Sequence, residues 1–399
     1  MLERRIKHLL LFSFFVIFLL NPGSSAAFDP EENKEIVALI PTTYRAQVIA
    51  ALSSAGKNWK QLASVLREVA PEQREGAAFL IANMPQADLV SISYELLYEN
   101  IVYAYQAWNQ MPWGTKISKP IFLKYVLPYR ISLEPAERWR KDFYEQLYPR
   151  VEKMTSIAEA ALEVNKWGAE NCIYGPTYRF QSPYTTLKRH QGDCHTQTIL
   201  YVAAARSVGI PARYVFTPYY PYRIGYHAWA EVWDGVWHCT GSCEPAPLDK
   251  PWFISDGTAK TLAKVWAASY ARVNPLELGN IGPWQTHLLD VTSFYTPVGS
   301  VEVKVIYLGQ PVANALVHFS LWNYNTLLPV TCAPTDQQGK ARIELGDGTY
   351  FVTAGQPPSN TWQFVYVAPG ETTKVHLELS AANQEEVYDF SSYDFGKRP

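Results

Sequence analysis

The chain carries little net charge and few charged residues. Its 35 Lys and Arg residues nearly balance its 37 Asp and Glu residues, which gives a formal net charge of −2, and charged residues make up 18% of the 399. Proteins that bind nucleic acid concentrate positive charge against the phosphates. The composition therefore gives no electrostatic reason to expect a nucleic-acid partner.

The sequence also lacks an apolar run long enough to span a bilayer. The longest apolar stretch near the N-terminus, Leu9–Leu20, is shorter than the roughly 20 residues that a membrane helix needs. Basic residues precede this stretch and small residues, 24–27, follow it, as in a secretory signal peptide. No cysteine lies nearby to carry a lipid anchor. We expect a signal peptide over residues 1–27, a periplasmic or secreted protein, and no stable membrane span after cleavage.

Cysteines are few, and their spacing excludes a common metal framework. None of the five, which are Cys172, Cys194, Cys239, Cys243 and Cys332, forms a Cys-x-x-Cys pair, so a zinc site is not predicted and no cofactor is expected. An odd number in an exported chain is typical of a protein that keeps one free thiol. If Cys194 is that thiol, the other four allow three pairings, or none pair, because a chain this long does not need disulfides.

One cysteine begins a predicted helix. Cys194 follows Asp193, a plausible N-cap, and apolar residues then recur at helical spacing until Gly209 and Pro211 end the pattern. In the first turn of a helix, unpaired N–H groups and the helix dipole favour a thiolate. The pattern therefore predicts a reactive thiol at Cys194.

A histidine begins a predicted strand shortly afterwards. Residues 213–216 favour a strand, and His227–Trp233 alternates, with His227, Trp229, Glu231 and Trp233 on one face. Asp234-Gly235 is a strong hairpin signal, and residues 236–240 form the returning strand. A thiol and a base assembled in space are the minimum for nucleophilic catalysis.

Two-residue hairpin geometry predicts what lies beside the histidine. With Asp234-Gly235 as the whole loop, His227 faces Ser242 and Glu244 is its diagonal neighbour, whereas a one-residue bulge brings Gly241 opposite. We expect Glu244, or failing it Ser242, to orient the imidazole. Trp229 shares the face of His227 and is expected to line the cleft and bind substrate.

These motifs resemble those of the transglutaminase-like superfamily. The resemblance rests on Cys194 at a helix start, GIPAR (209–213), HAWAEVW (227–233) and the following Trp237, and residues 237–245 are similar to the peptide:N-glycanase branch. It implies a papain-like fold with Cys194 as nucleophile and His227 as general acid–base. In the family a carboxylate follows the tryptophan of the returning strand by four residues, and here Gly241 occupies that position. Gln181, in a predicted loop over residues 178–186, is a candidate oxyanion donor.

The remaining sequence predicts the fold class and domain order. Residues 28–120 are predicted to be helical and amphipathic, the resemblance implies a transglutaminase-like core over residues 121–290, and residues 296–380 show the period of two of a β-sandwich. This predicted sandwich resembles the immunoglobulin-like modules of exported bacterial enzymes. A linker over 274–298 precedes the sandwich, and an acidic, aromatic tail over 381–399 is expected to be flexible. The predicted class is α+β.

The predicted function is that of an exported thiol enzyme. Attack of Cys194 on an amide carbonyl gives a thioester, which water or an amine resolves, and the resemblance to exported bacterial members favours hydrolysis. The high aromatic content, 14%, suits either large cores or a cleft that stacks on sugars or peptides, so a peptide or glycopeptide substrate is expected. The alternative is a peptide- or glycan-binding module that kept the fold and lost the chemistry.

Overall fold

The structure is a computed structural model, and it describes residues 27–177, 180–271, 287–356 and 359–379. The predicted signal peptide and C-terminal tail lie outside these residues, apart from Ala27. Helices and sheets are both well represented, which confirms the α+β class. Across the described ranges, no helix has both the length and the apolar character needed to cross a membrane.

The N-terminal region is a set of short helices, as the 3.6-residue periodicity predicts. They are α1 (Lys34–Leu39), α2 (Arg45–Ser54), α3 (Trp59–Glu68), α4 (Arg74–Ala82), α5 (Gln86–Leu89), α6 (Tyr94–Gln110) and α7 (Lys119–Tyr125). Their buried faces join one hydrophobic core with the helices and sheet that follow. The helical region is therefore packed into the body of the protein and has no separate core.

The central part combines four helices with a five-stranded sheet. Helices α8 (Arg140–Val151), α9 (Ile157–Asn171), α10 (Pro183–Arg189) and α11 (Cys194–Ser207) come first, with a two-stranded pair, β1 (Ile173–Tyr174) and β2 (Gln191–Gly192), between them. The sheet has the order β5-β4-β3-β6-β7 and is antiparallel throughout. Its strands are β3 (Ala212–Thr217), β4 (His227–Trp233), β5 (Trp237–Thr240), β6 (Trp266–Ser269) and β7 (His287–Asp290), with α12 (Trp252–Ser255) between β5 and β6.

Two sequence predictions are wrong in this part. Residues 183–186, predicted as loop, begin α10, where Ser182 caps the helix by accepting a hydrogen bond from Thr185 N and Pro183 occupies the first turn. Residues 287–290, predicted as linker, form the edge strand β7 paired with β6. The first part of the predicted linker, 274–286, lies outside the described residues.

The hairpin between β4 and β5 has a three-residue loop. Trp233 pairs with Trp237 and Val232 with His238, so Asp234, Gly235 and Val236 form the turn, with Gly235 at a φ of 87°. The predicted two-residue loop, and the register that placed His227 opposite Ser242, are therefore wrong. His227 instead pairs with Thr217 on β3, and β5 ends before it reaches the histidine.

The C-terminal strands form two facing sheets with a shared core. After α13 (Thr292–Tyr295), one sheet has the order β12-β8-β15, with β9 beside β8, and the other the order β11-β10-β13-β14. Valines of β8 and β15 pack against apolar residues of β10 and β13. The strands are β8 (Val298–Tyr307), β9 (Gln310–Pro311), β10 (Leu316–Asn323), β11 (Thr326–Pro334), β12 (Lys340–Gly346), β13 (Gly348–Gln356), β14 (Ser359–Val367) and β15 (Thr372–Leu379).

Candidate functional site

Helix α11 presents Cys194 at its first position. Asp193 is the N-cap: its Oδ1 accepts a hydrogen bond from Thr196 N at 2.9 Å, which is the capping geometry that the sequence predicts. The rest of the helix is buried in the core, whereas Cys194 is only partly buried. The cap therefore fixes the start of the helix and leaves the thiol at the edge of the core.

The thiol of Cys194 is neutral in its surroundings. Burial raises its pKa to about 12, and this outweighs the lowering by backbone N–H groups of Ala228, His195 and Cys194 itself. The negative charge of Asp193 raises the pKa further. The expectation of a thiolate at the helix start is therefore wrong, because burial raises the pKa of the thiol more than the backbone N–H groups lower it. The N–H of Ala228 hydrogen-bonds to the sulfur, which places the thiol beside the second residue of β4.

His227 is the first residue of β4 and is almost fully buried, at 8% exposure. Its ring lies among aromatic rings: the centroid is 5.0 Å from those of Trp252 and Phe253, and 5.7 Å from that of Trp229. Burial lowers the pKa of His227 to about 3, helped by positive charge at His195 and Arg223. The imidazole is therefore neutral at physiological pH.

Cys194, His227 and Glu244 line the same pocket, whose volume is about 360 Å³. The rest of the lining is mostly aromatic and comes from Tyr174, Tyr220, Tyr226, Trp252 and Tyr324, with Arg223 and Gly225. The structure thus brings together three residues that the sequence analysis proposed for the site. It adds an aromatic surface suited to stacking against flat or ring-shaped groups.

The side chain of Glu244 occupies the space beside Gly241, the position at which the family has a carboxylate. A Cβ built on Gly241 would lie 2.8 Å from Oε2 and 3.0 Å from Cβ of Glu244. The Glu244 side chain therefore folds back over Gly241 and occupies the space that a residue-241 side chain would take. Glu244 is half-buried; burial raises its pKa, while a hydrogen bond with the Trp252 side chain lowers it. Through Trp252, the carboxylate is one ring away from His227.

A buried asparagine holds this segment in place. Asn165 of α9 is fully buried, and its Nδ2 donates to the carbonyl oxygens of Gly241 at 2.6 Å and Glu244 at 3.2 Å. Its Oδ1 accepts from Glu244 N at 3.0 Å. The chain after β5 leaves the sheet, so Asn165 supplies the backbone partners that a neighbouring strand would otherwise provide.

His227 has no orienting partner on one side of its ring. Its Nε2 is buried and makes no hydrogen bond to any part of the chain that the structure describes, and the same holds for Ser242 Oγ. The predicted contact of Ser242 or Glu244 with the ring is therefore absent at Nε2. The physical reason is the three-residue hairpin loop, which shifts the register and carries Ser242 away from the position opposite His227.

Trp229 does not line the pocket, contrary to the prediction. It is fully buried in a core with Phe253 and Val265, and its indole N–H donates to Tyr295 OH at 2.8 Å. The alternation along β4 is as predicted, but helix α11 covers one face and the α12–β7 segment covers the other. Trp229 therefore packs against the His227 ring from the side of the core and is not accessible to a substrate.

Gln181 lies outside the lining of the pocket. Its side chain is buried, and Nε2 donates to Gln191 O at 3.2 Å, while Oε1 has no hydrogen-bond partner within the described ranges. Gln191 begins the segment that leads into Cys194, so this bond anchors the approach to the nucleophile. A part for Gln181 in the oxyanion site stays a prediction.

The C-terminal sandwich supplies part of the pocket. The β10–β11 turn is Tyr324-Asn325, and both residues have positive φ, 49° and 59°, as a type I′ turn requires. Just before it, Asn323 Nδ2 donates to the carbonyls of Tyr220 and Arg223, both at 3.0 Å. These bonds fix the hairpin against the loop that precedes His227, and so place Tyr324 in the pocket.

The sequence analysis missed most of the aromatic lining. A signal existed for the loop before His227, since residues 219–226 read YYPYRIGY, an unusual concentration of tyrosine next to a proposed catalytic residue. Trp252 begins α12 and carries no comparable signal. Tyr324 lies 72 residues beyond Trp252, and nothing in its local sequence connects it to the site.

Comparison with known proteins places the site in a family. Residues 145–253 match the sequence profile of the transglutaminase-like superfamily, a segment that runs from within α8 into α12 and contains Cys194, His227 and Glu244. No curated protein matches the chain.

Several solved structures share parts of the fold. A DUF3823 family protein from Parabacteroides merdae is 25% identical over 21% of this chain and 46% of its own, with a TM-score of 0.18. A Cytophaga hutchinsonii protein described as a "Putative Cysteine Protease" is 16% identical over 45% of this chain and 66% of its own, with a TM-score of 0.28. The minor pilin GBS52 of Streptococcus agalactiae is 14% identical over 31% of this chain and 71% of its own, with a TM-score of 0.18. This chain therefore spans less than half of the first of these proteins, and TM-scores this low carry no functional argument.

Proposed function

We propose that this chain, which belongs to the transglutaminase-like superfamily through residues 145–253, is an exported cysteine enzyme that cleaves or transfers an amide acyl group, with hydrolysis favoured. The superfamily gives it the general fold of a cysteine enzyme. The observation that carries the proposal is that Cys194 and His227 line one pocket, with the N–H of Ala228 at the sulfur. Export is supported by the N-terminal sequence pattern.

Because the Cys194 thiol and the His227 imidazole are both neutral, proton transfer takes place during the attack on the substrate and not before it. Because the pKa of the thiol is raised and that of the imidazole is lowered, an ion pair does not precede the substrate. As the sulfur attacks the amide carbonyl, His227 takes the thiol proton, and it returns that proton to the departing amine as the C–N bond breaks. Water, activated by the same imidazole, then hydrolyses the thioester.

Backbone N–H groups near the sulfur would hold the developing oxyanion. The N–H groups of Cys194 and Ala228 point at the thiol, so a carbonyl carbon bonded to Sγ would bring its oxygen within reach of one of them. Fixed donors of this kind are among the largest contributions to acyl transfer. Gln181 remains a candidate for a further donor.

The aromatic lining supports a peptide or glycopeptide substrate. Tyr226, Trp252 and Tyr324 offer ring faces, while Arg223 and Glu244 offer charges of opposite sign in the same pocket. Sugars and planar peptide groups both stack on aromatic rings. No cofactor takes part in the proposed reaction.

The test is covalent trapping of the thiol. The folded protein is treated with an acylating probe that carries an activated amide or ester, and the site of the adduct is read by mass spectrometry after digestion. We expect a single adduct at Cys194. Cys332, which is also partly exposed, is the internal control for indiscriminate reaction. A folded protein in which Cys194 stays unlabelled would overturn the enzymatic proposal.

A second candidate is a binding module without chemistry. The observation that favours it is that Nε2 of His227 has no hydrogen-bond partner among the described residues, so the base lacks the orienting group seen in working triads. In that case peptides or glycans would bind the aromatic pocket without turnover. Isothermal titration of the wild type and of Cys194→Ala against the same ligands separates the two: equal binding with no product in either supports the module.

A further inference from the structure

Two cysteines that the proposed reaction does not use lie next to each other beside the pocket. Cys172 caps the end of α9 just before β1, and Cys243 lies in the segment that follows β5. Both are buried, at 2% and 7% exposure. Although they are far apart in sequence, both pack against Gln197 of α11: Gln197 Nε2 donates to Cys172 O at 3.4 Å, and Cys243 Sγ contacts Gln197 O at 3.8 Å.

The two side chains interact with each other. Each thiol shifts the pKa of the other through a side-chain hydrogen bond, which lowers the pKa of Cys172 and raises that of Cys243. Glycines make room for the sulfurs, since a Cβ on Gly168 would lie 3.0 Å from Cys243 Sγ and one on Gly192 would lie 3.3 Å from Cys172 Sγ. The sulfurs are therefore enclosed together, with little room to turn towards any other partner.

The backbone at Cys243 is a further, independent observation. Its φ is 58°, in the left-handed region that favours glycine or asparagine and is uncommon for other residues. A residue held in such a conformation needs compensation from its surroundings. The thiol of Cys243 contacts Gln197 O and interacts with the thiol of Cys172.

We propose that Cys172 and Cys243 form a disulfide bond as the exported chain folds. The bond forms by exchange with a small-molecule disulfide such as glutathione disulfide. A thiolate of one cysteine attacks the oxidant and releases one thiol, and the second cysteine then attacks the mixed disulfide and releases the other. The two S–H protons and two electrons end on the two released thiols, and one S–S bond is formed.

The bond joins two sides of the pocket. Cys172 is two residues before Tyr174, and Cys243 is adjacent to Glu244; both Tyr174 and Glu244 line the pocket. The cross-link therefore limits the distance between β1 and the segment that carries Glu244.

The experiment uses the full chain, refolded from the reduced, denatured state in a buffer of reduced and oxidised glutathione. Remaining thiols are alkylated, and the protein is digested without reduction. We expect a cross-linked peptide pair that contains Cys172 and Cys243, together with alkylated Cys194, Cys239 and Cys332. We also expect a reductant to lower the Tm of the refolded wild type by about 5 °C and to leave the Tm of Cys172→Ser/Cys243→Ser unchanged.

The matched control is Cys239→Ser/Cys332→Ser, which removes two other cysteines and should keep both the cross-link and the reductant-sensitive Tm. Alkylation of both Cys172 and Cys243 after refolding, a cross-link to a different cysteine, or a Tm of the wild type that ignores reductant would each overturn the proposal. The outcome is independent of the enzymatic proposal, because labelling of Cys194 is read on a different peptide.

Discussion

The start of α11 and the segment that follows β5 meet at the same pocket but are built in different ways. Cys194 is held by regular structure, with Asp193 as helix cap and the N–H of Ala228 at the sulfur. The segment from Gly241 to Glu244 belongs to no strand or helix, and its backbone bonds come mainly from the side chain of Asn165. The nucleophile is thus held by regular secondary structure, whereas the third position of the site is held by side-chain contacts.

The largest expected effect tests Cys194, which is held in place by the regular structure of α11. Cys194→Ala should abolish covalent labelling and reduce turnover at least about 10³-fold, since no other group in the pocket can form the thioester. The helix cap does not depend on the thiol, so the thermal unfolding curve should be unchanged. Adduct mass and steady-state rates provide the measurement, with Cys332→Ala as the matched control. Labelling that survives in Cys194→Ala contradicts the assignment.

The pH dependence of alkylation tests whether the thiol and imidazole are neutral. With the pKa of Cys194 raised to about 12, the thiolate fraction falls tenfold for every pH unit below that value. The rate of reaction with iodoacetamide should therefore rise about 10³-fold from about pH 7 to about pH 10. It should show no step near pH 6.5, because the pKa of His227 is lowered to about 3. A rate that is level through neutral pH would instead indicate a preformed thiolate–imidazolium pair.

Loss of the base should have the next effect. His227→Ala removes the group that accepts the thiol proton during attack, and general-base catalysis of this kind contributes about 10²- to 10⁴-fold. We expect a fall of that size in kcat with a smaller change in KM, measured on the substrate that labels Cys194. His238→Ala, which removes a partly exposed side chain hydrogen-bonded to Asp249, is the control. Equal effects of the two variants would remove His227 from the proposed mechanism.

The segment after β5 is tested by changing residues 241 and 244, whose side chains would occupy the same space. Gly241→Asp alone restores the carboxylate that the family pattern places at this position. Its Cβ would lie 2.8 Å from Glu244 Oε2, so we expect a loss of about tenfold in kcat/KM and a lower Tm. Gly241→Asp/Glu244→Ala clears the space and should recover activity. Glu244→Gln alone tests the charge, and slower labelling of Cys194 at neutral pH is expected. If kcat/KM of the double variant is no higher than that of Gly241→Asp, the side chains of residues 241 and 244 do not compete for the same space.

The smallest effect belongs to the residue that the sandwich contributes. Tyr324→Ala removes one ring from the pocket without touching the thiol or the base, so we expect KM to rise a few-fold with little change in kcat, in line with the roughly 1 kcal/mol of one aromatic contact. Tyr307→Ala, an exposed tyrosine of the same sandwich, is the control. A change in kcat alone would show that Tyr324 acts on the chemistry and not on binding.

The sequence predicts the regular elements around Cys194 and His227 better than the irregular segment that follows β5. The N-cap at Asp193 and the bounds of β4 depend on local patterns, and the structure has them where the patterns place them. The hairpin loop is one residue longer than predicted, because Asp234-Gly235 is only part of the turn. That single residue was enough to misplace Ser242.

The remaining errors concern burial, which local patterns do not measure. A period of two separates the faces of β4 correctly, but it cannot say that both faces are covered, so Trp229 was placed in the cleft. In the same way, the helix start at Cys194 argues for a low thiol pKa until the surrounding protein is known. Tyr324 depends on how the C-terminal sandwich docks, for which the sequence carries no signal.

The Tyr324-Asn325 turn has a consequence for how this pocket can diversify. Two-residue turns at hairpin tips tolerate substitution and insertion without cost to the core beneath them. Here such a tip reaches the pocket from a sheet that contributes neither Cys194 nor His227. A library confined to residues 324 and 325 would therefore vary one wall of the pocket while Cys194 and His227 stay unchanged, and its members would show whether ligand choice depends on this turn.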